Sequence, residues 1–231
     1  MTQEFDYPTG QIIDPKPPGT LPDLRPLPGR WARLDALNAE KHGPQLWANI
    51  NGKDMNGKLW TYLGYGPFAD QATFMEWLKA RQAQKDAWFY GFVKRETGEA
   101  LGMGSFMRAD GANGVIEIGN IWMSTALQKT RESTEIIFLM MRHAFDDLGM
   151  RRLEWKCDSL NAPSRRAAAR FGFQFEGIFM QHMIIKGRNR DTAWFAMLDK
   201  DWPKIRQGFE AWLADSNFDP TGHEKAKLRV A

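Results

Sequence analysis

A polar loop holding Gln128, Lys129, Thr130, Arg131, Glu132 and Ser133 separates two apolar stretches of this chain. The first stretch, Val115 to Met123, is β-branched and mostly apolar, which predicts a buried strand. In the second, Ile136, Leu139, Met140, His143, Ala144 and Leu148 recur at helical spacing, and Gly149 marks the stop. A strand, a tight loop and a helix start together form an anion cradle, because unpaired amides and the helix dipole point at one place. Ser133 is a residue type that caps helices. A plain strand-to-helix crossover uses the same pieces, so the loop by itself leaves ligand binding open.

The other reactive side chains narrow the chemistry. Cys157 is the only cysteine, which excludes an internal disulfide and a cysteine-based metal cluster, and its strand-like setting predicts a buried thiol. His42, His143, His182 and His223 lack metal-ligand spacing, so no metal is expected. A net charge of +3 with a pI near 9.0 is too mild for a dedicated nucleic-acid binder, but it suits a polyanionic cofactor. No apolar run reaches membrane-spanning length and the N-terminus lacks a signal peptide's basic-then-apolar order, so a cytoplasmic protein is expected. With 231 residues and 43% hydrophobic content, one full-sized core is expected.

The elements that must position the loop follow in order. Residues 1–29 carry seven of the twelve prolines and read as an extended arm without regular structure. A short strand is expected at Trp31–Leu34, then a helix capped by Asp35 and running to about Trp47. Asn49–Gly57 reads as a loop, and Leu59–Gly66 is an aromatic patch with Trp60, Tyr62 and Tyr65. Asp70 caps a second helix. Strands are expected at Trp88–Lys94 and Ala100–Arg108, joined by a turn at Glu96–Glu99, with a further turn at Asp110–Gly114. Beyond the central helix come a strand at Arg152–Asp158 and a helix at Pro163–Phe171, capped by Asn161. A hairpin over Phe175–Lys186 and Arg190–Leu198, turned by Gly187-Arg188-Asn189, is followed by a last helix and a polar tail. The expected fold is α/β: a mixed, mostly antiparallel twisted sheet of about seven strands with helices on both faces.

Three segments of this order resemble the GNAT superfamily of acyl-CoA-dependent N-acetyltransferases. That family's Gln/Arg-x-x-Gly-x-Gly/Ala signature is matched by Gln128 to Ser133, which keeps the glutamine and replaces both glycines. Asn161-Ala-Pro-Ser164 and Arg170-Phe171-Gly172-Phe173 are similar to its Asn-x-x-Ser/Ala helix ending in Gly-Phe. Phe175-Glu176-Gly177 with Gly187 to Thr192 resembles the closing hairpin of the RimJ/RimL branch of ribosomal-protein N-terminal acetyltransferases. The likeness covers residues 30–200, leaving the arm (1–29) and a C-terminal helix and tail (201–231) outside it.

The resemblance implies acetyl transfer from acetyl-CoA to a primary amine by direct attack. Amides of Gln128, Lys129, Thr130, Arg131, Glu132 and Ser133 would hold the pyrophosphate, with Lys129 or Arg131 adding charge. A backbone N–H at Trp122 or Met123 would polarise the thioester carbonyl, and Asn161 and Ser164 would flank the coenzyme. Glu117 holds the position of a general base in some relatives. Where many relatives place a tyrosine to protonate the thiolate, this chain has Ala168, and Ser164 is the nearby hydroxyl left for that task. The acceptor is expected to be a protein N-terminus. A small amine such as an amino acid, polyamine or antibiotic is the alternative, as is a non-catalytic acyl-CoA-binding module. Neither a nucleic acid nor a membrane is expected as partner, and a homodimer is left open.

Overall fold

The computed structural model describes residues 7–13, 19–50 and 58–230. Eight strands form one sheet in the order β1-β2-β3-β4-β5-β6-β8-β7. They are β1 (Leu27–Pro28), β2 (Ala32–Ala36), β3 (Ala87–Lys94), β4 (Ala100–Asp110), β5 (Val115–Met123), β6 (Arg152–Asp158), β7 (Gln174–Ile185) and β8 (Arg188–Leu198). Only β5 and β6 pair in parallel among them, because the intervening helix must cross over between them. The helices are α1 (Ala39–Ile50), α2 (Gln71–Gln82), α3 (Arg131–Arg142), α4 (Ala162–Arg170) and α5 (Trp202–Trp212).

Two clusters of buried side chains lie on opposite faces of the sheet. Helices α3, α4 and α5 share one with β1, β5, β6 and β8, where Phe138 stacks on Phe209 at 5.3 Å. Helices α1 and α2 share the other with β3 and β4, and Trp60 and Trp122 join it. Helix α3 is buried from Glu132 to Met141, since the sheet covers one side and α5 with the N-terminal strands covers the other. Glu135 shows how tightly α3 is held. Its buried carboxylate accepts hydrogen bonds from the amides of Arg30, Trp31 and Ala32 at 2.6–2.8 Å.

Several local expectations are corrected. The arm does contribute regular structure: Leu27 and Pro28 pair with Leu34 and Arg33, adding an eighth strand at the edge, where proline is tolerated. Helix α1 begins after Asn38, whose side chain accepts from the Lys41 amide at 2.8 Å; Asp35 stays in β2 and pairs with Arg33 and Lys41. The β7–β8 turn is Lys186-Gly187, with φ of 50° and 72°, the two positive values that a tight hairpin turn requires. The tail also folds back, with Phe218 bridging Glu224. Residues 1–6 and 14–18 of the arm, 51–57 of the Asn49–Gly57 loop, and Ala231 lie outside the described residues.

Candidate active site

The parallel pairing of β5 and β6 runs from Val115 opposite Arg152 to Ile118 opposite Trp155, and then the strands part. The cause lies in β5. Its register against β4 shifts between Met103 and Ser105, opposite a bulge where Asn120 has φ of 52°. A bulge kinks and twists its strand, turning the end of β5 away from β6. The Asn120 side chain fixes the kink by donating to Ser105 Oγ at 2.9 Å. The gap opens into a cleft of about 1490 Å³ that reaches from the first turn of α3 to the β7–β8 hairpin.

At the α3 end the loop is built differently from the expectation. Thr130, not Ser133, is the N-cap: its Oγ1 accepts from the Ser133 amide at 3.1 Å, and Ser133 Oγ accepts from the Thr130 amide at 3.2 Å. Lys129 carries the tight turn at φ of 61°, so Arg131 keeps ordinary helical geometry without the family's glycine. Gln128 braces the loop by donating from Nε2 to the Met123 carbonyl at 2.8 Å. The amides of Lys129, Arg131 and Glu132 have no partner among the described residues, as an anion cradle requires. The Arg131 side chain turns away from it. Its guanidinium sits over Trp31 at 5.1 Å and over Phe218 at 5.8 Å, while Nε lies 3.7 Å from Glu132.

Midway along the cleft, the Ser124 amide donates to the Leu101 carbonyl across β4. Ladder alternation therefore turns the Trp122 amide toward β4 as well, and the Met123 amide into the gap left by β6. Of the two expected carbonyl donors, Met123 faces the cleft with its backbone. Trp122 contributes a wall, with a buried indole N–H that has no partner among the described residues. Asn161 caps α4 by accepting from the Ser164 amide at 3.1 Å, and its side-chain NH2 is unpartnered among the described residues. Ser164 Oγ accepts from Trp155 Nε1 at 2.9 Å and lies beside Cys157. Burial holds the Cys157 thiol above its ordinary range.

Glu117 lies on the sheet face that α3 does not cover, 3% exposed and in register with Glu154. Arg108 Nη1 donates to its Oε2 at 2.6 Å and Lys156 Nζ lies 2.9 Å from the same atom. Oε1 has no partner among the described residues and faces the space above Gly119. Lys156 also meets Glu154 at 2.7 Å and the Trp194 ring at 3.7 Å from its centre. These partners were missed in the sequence, where only the β5–β6 register would have aligned them. At the mouth, Tyr62 Oη donates to the Leu160 carbonyl at 3.1 Å and Lys186 Nζ to the Trp60 carbonyl at 2.7 Å. The aromatic patch thereby bridges the cleft.

Comparison with known proteins agrees with this architecture. Residues 37–174 match the family of the acetyltransferase (GNAT) domain. The chain belongs to the GNAT acetyltransferases. Members of that family take the acetyl group from acetyl-CoA and pass it to an amine. A GCN5-related N-acetyltransferase from Brucella melitensis is 45% identical, with 93% of this chain and 96% of that one covered and a TM-score of 0.90. An uncharacterized N-acetyltransferase, p20, of Bacillus licheniformis is 28% identical over 61% of this chain and 80% of its own. The Salmonella typhimurium acetyltransferase that modifies the N-terminal serine of ribosomal protein L7/L12 is 21% identical, with a TM-score of 0.64 over 75% of this chain and 99% of its own. That last likeness is one of fold. Among the described residues of this GNAT enzyme, no helix is long and apolar enough to cross a membrane.

Proposed function

We propose that this enzyme acetylates the α-amine of a protein or peptide N-terminus, using acetyl-CoA bound along the β5–β6 cleft. One observation carries the reading: a single cleft joins the unpaired first-turn amides of α3 to the Met123 amide at the strand gap. The amides of Lys129, Arg131 and Glu132 suit the pyrophosphate. The Met123 N–H suits the thioester oxygen, and the Asn161 side chain suits an amide of the pantetheine arm between them. At about 1490 Å³ the cleft exceeds the roughly 300–1,000 Å³ of a small-molecule site, leaving room for an acceptor beside the coenzyme.

The amine lone pair attacks the thioester carbon, the C–S bond breaks, and coenzyme A leaves as a thiolate. Glu117 Oε1 takes the ammonium proton through a water, while Arg108 and Lys156 fix the carboxylate through Oε2. The Ser164 hydroxyl accepts from Trp155, gives its proton to the thiolate and regains one from the acylated nitrogen, which leaves as a neutral amide. The chain itself carries no acetyl group, because Cys157 is buried and protonated.

The bridge from Tyr62 to Leu160 favours a slender acceptor that threads beneath it, as a peptide N-terminus would. Turnover of acetyl-CoA with N-terminal peptides, compared with polyamines, amino acids and aminated antibiotics, tests the assignment. Higher kcat/KM on the peptides supports it, and activity confined to the small amines overturns it.

A further inference from the structure

The C-terminal tail lies outside the matched acetyltransferase segment, yet it lines the α3 end of the cleft. Trp212, Phe218 and Glu224 face that space with Arg131 and Arg170. The tail is held there from several sides. Trp212 Nε1 donates to Glu224 Oε2 at 2.8 Å, and the Trp212 and Phe218 rings meet edge-on at 5.1 Å. The Lys225 amide donates to the Asn217 carbonyl at 2.7 Å, and Val230 packs against the core. Arg131 is the post on which this wall is mounted, since its guanidinium is clasped between Trp31 and Phe218. The residue that replaces a family glycine therefore docks the tail onto the cradle loop.

Arg170 supplies the charge. Its Nη1 donates to Thr134 Oγ1 at 3.1 Å and its guanidinium lies over Trp212 at 5.3 Å. Thr134 stands one helical turn, about 5.4 Å, beyond the cap at Thr130. A cation is thus fixed one turn away from the unpaired amides, beside two aromatic rings and the second oxygen of Glu224, which has no partner among the described residues.

We infer that the tail is the nucleotide wall of the donor site. It presents Phe218 and Trp212 to a purine ring, Glu224 to an exocyclic amine, and Arg170 to a phosphate on the ribose. This rests on the proposal that coenzyme A occupies the cleft. The wall makes the enzyme selective for the 3′-phosphorylated nucleotide, a selectivity that the cradle amides alone do not provide. The two cations divide the work: Arg131 anchors the wall and Arg170 reads the phosphate.

Calorimetric titration of the full chain with coenzyme A, dephospho-coenzyme A and adenosine 3′,5′-bisphosphate tests the inference. The wild type should prefer coenzyme A over its dephospho form by about tenfold, as one charge-assisted contact supplies. Arg170→Gln should bring that ratio close to one, a change that a merely structural weakening would not produce. Phe218→Ala should weaken adenosine 3′,5′-bisphosphate about tenfold, and the exposed Glu224→Ala serves the same comparison should Phe218→Ala fail to fold. An unchanged ratio in Arg170→Gln, or full affinity for the bisphosphate in the tail variants, overturns the wall. Loss of coenzyme A binding in the wild type would overturn the donor site itself.

Discussion

Lys156 lies 2.9 Å from Glu117 across the parallel pair β5–β6, and 2.7 Å from Glu154 on its own strand. Glu117 and Glu154 are register partners, so the ammonium sits between two carboxylates that would otherwise face each other. Arg108 and Arg152 complete the cluster on its outer sides. The arrangement leaves one oxygen of Glu117 with no partner among the described residues, so a structural and a chemical role of the residue can be tested separately.

If Glu117 relays the proton, Glu117→Gln lowers turnover by about 10²-fold with little change in coenzyme affinity. The loss shrinks toward pH 10, where the acceptor amine is already neutral. Lys156→Met instead lowers stability by about 3 kcal/mol, since it brings two carboxylates together in a largely buried site. Rates from pH 6 to 10 and urea denaturation of both variants check this. A constant ratio between wild type and Glu117→Gln over that range removes the residue from proton transfer.

A ligand that binds only the folded state raises the melting temperature, so coenzyme A should do so if the donor assignment is right. At about 100-fold excess over Kd the stabilisation is roughly 2.7 kcal/mol. Thermal scans over a coenzyme series measure it, and the absence of a shift at millimolar coenzyme rejects the donor assignment.

Arg131→Gly should cost stability, on the order of 1 kcal/mol or more, because the guanidinium leaves the Trp31 and Phe218 rings and glycine weakens the first turn of α3. The amide at 131 survives, so the cradle keeps its donors. Denaturation midpoints and coenzyme titration separate the two effects. A destabilised variant that still binds coenzyme A and its dephospho form, both more weakly because the purine wall is no longer docked, is the expected result.

Cys157 should resist thiol reagents at neutral pH in the native state and react on unfolding, since burial raises its thiol. Cys157→Ala should retain acetyl transfer. Mass spectrometry of the enzyme with acetyl-CoA alone should show no acetylated Cys157, whereas a stoichiometric adduct there would replace direct attack with a covalent route.

Much of the frame was legible because it depends on local rules. Val115–Met123 and Arg152–Asp158 coincide with the strands expected from their apolar runs, and Asn161 and Asp70 cap the helices they precede. Errors gathered where a local rule had a competitor close in sequence. Thr130 and Ser133 are both capping types three residues apart, and the turn at Lys129 decided between them. Asp35 and Asn38 pose the same choice, which the strand pairing of Asp35 with Gly91 settles.

The sequence by itself determined that a strand, a polar loop and a helix stand together, that no thiol pair exists, and which residues could cap each helix. Periodicity and capping act over a few neighbouring residues, so they are readable along the chain. The tertiary structure alone decided what the charged side chains do. Arg131 belongs to the tail because Trp31 and Phe218, 100 and 87 residues away in number, close on it from two sides. Lys156 belongs to Glu117 because a parallel crossover set their strands in register. Long flexible cations take the partner that folding brings within reach, and that partner is fixed by topology rather than by spacing.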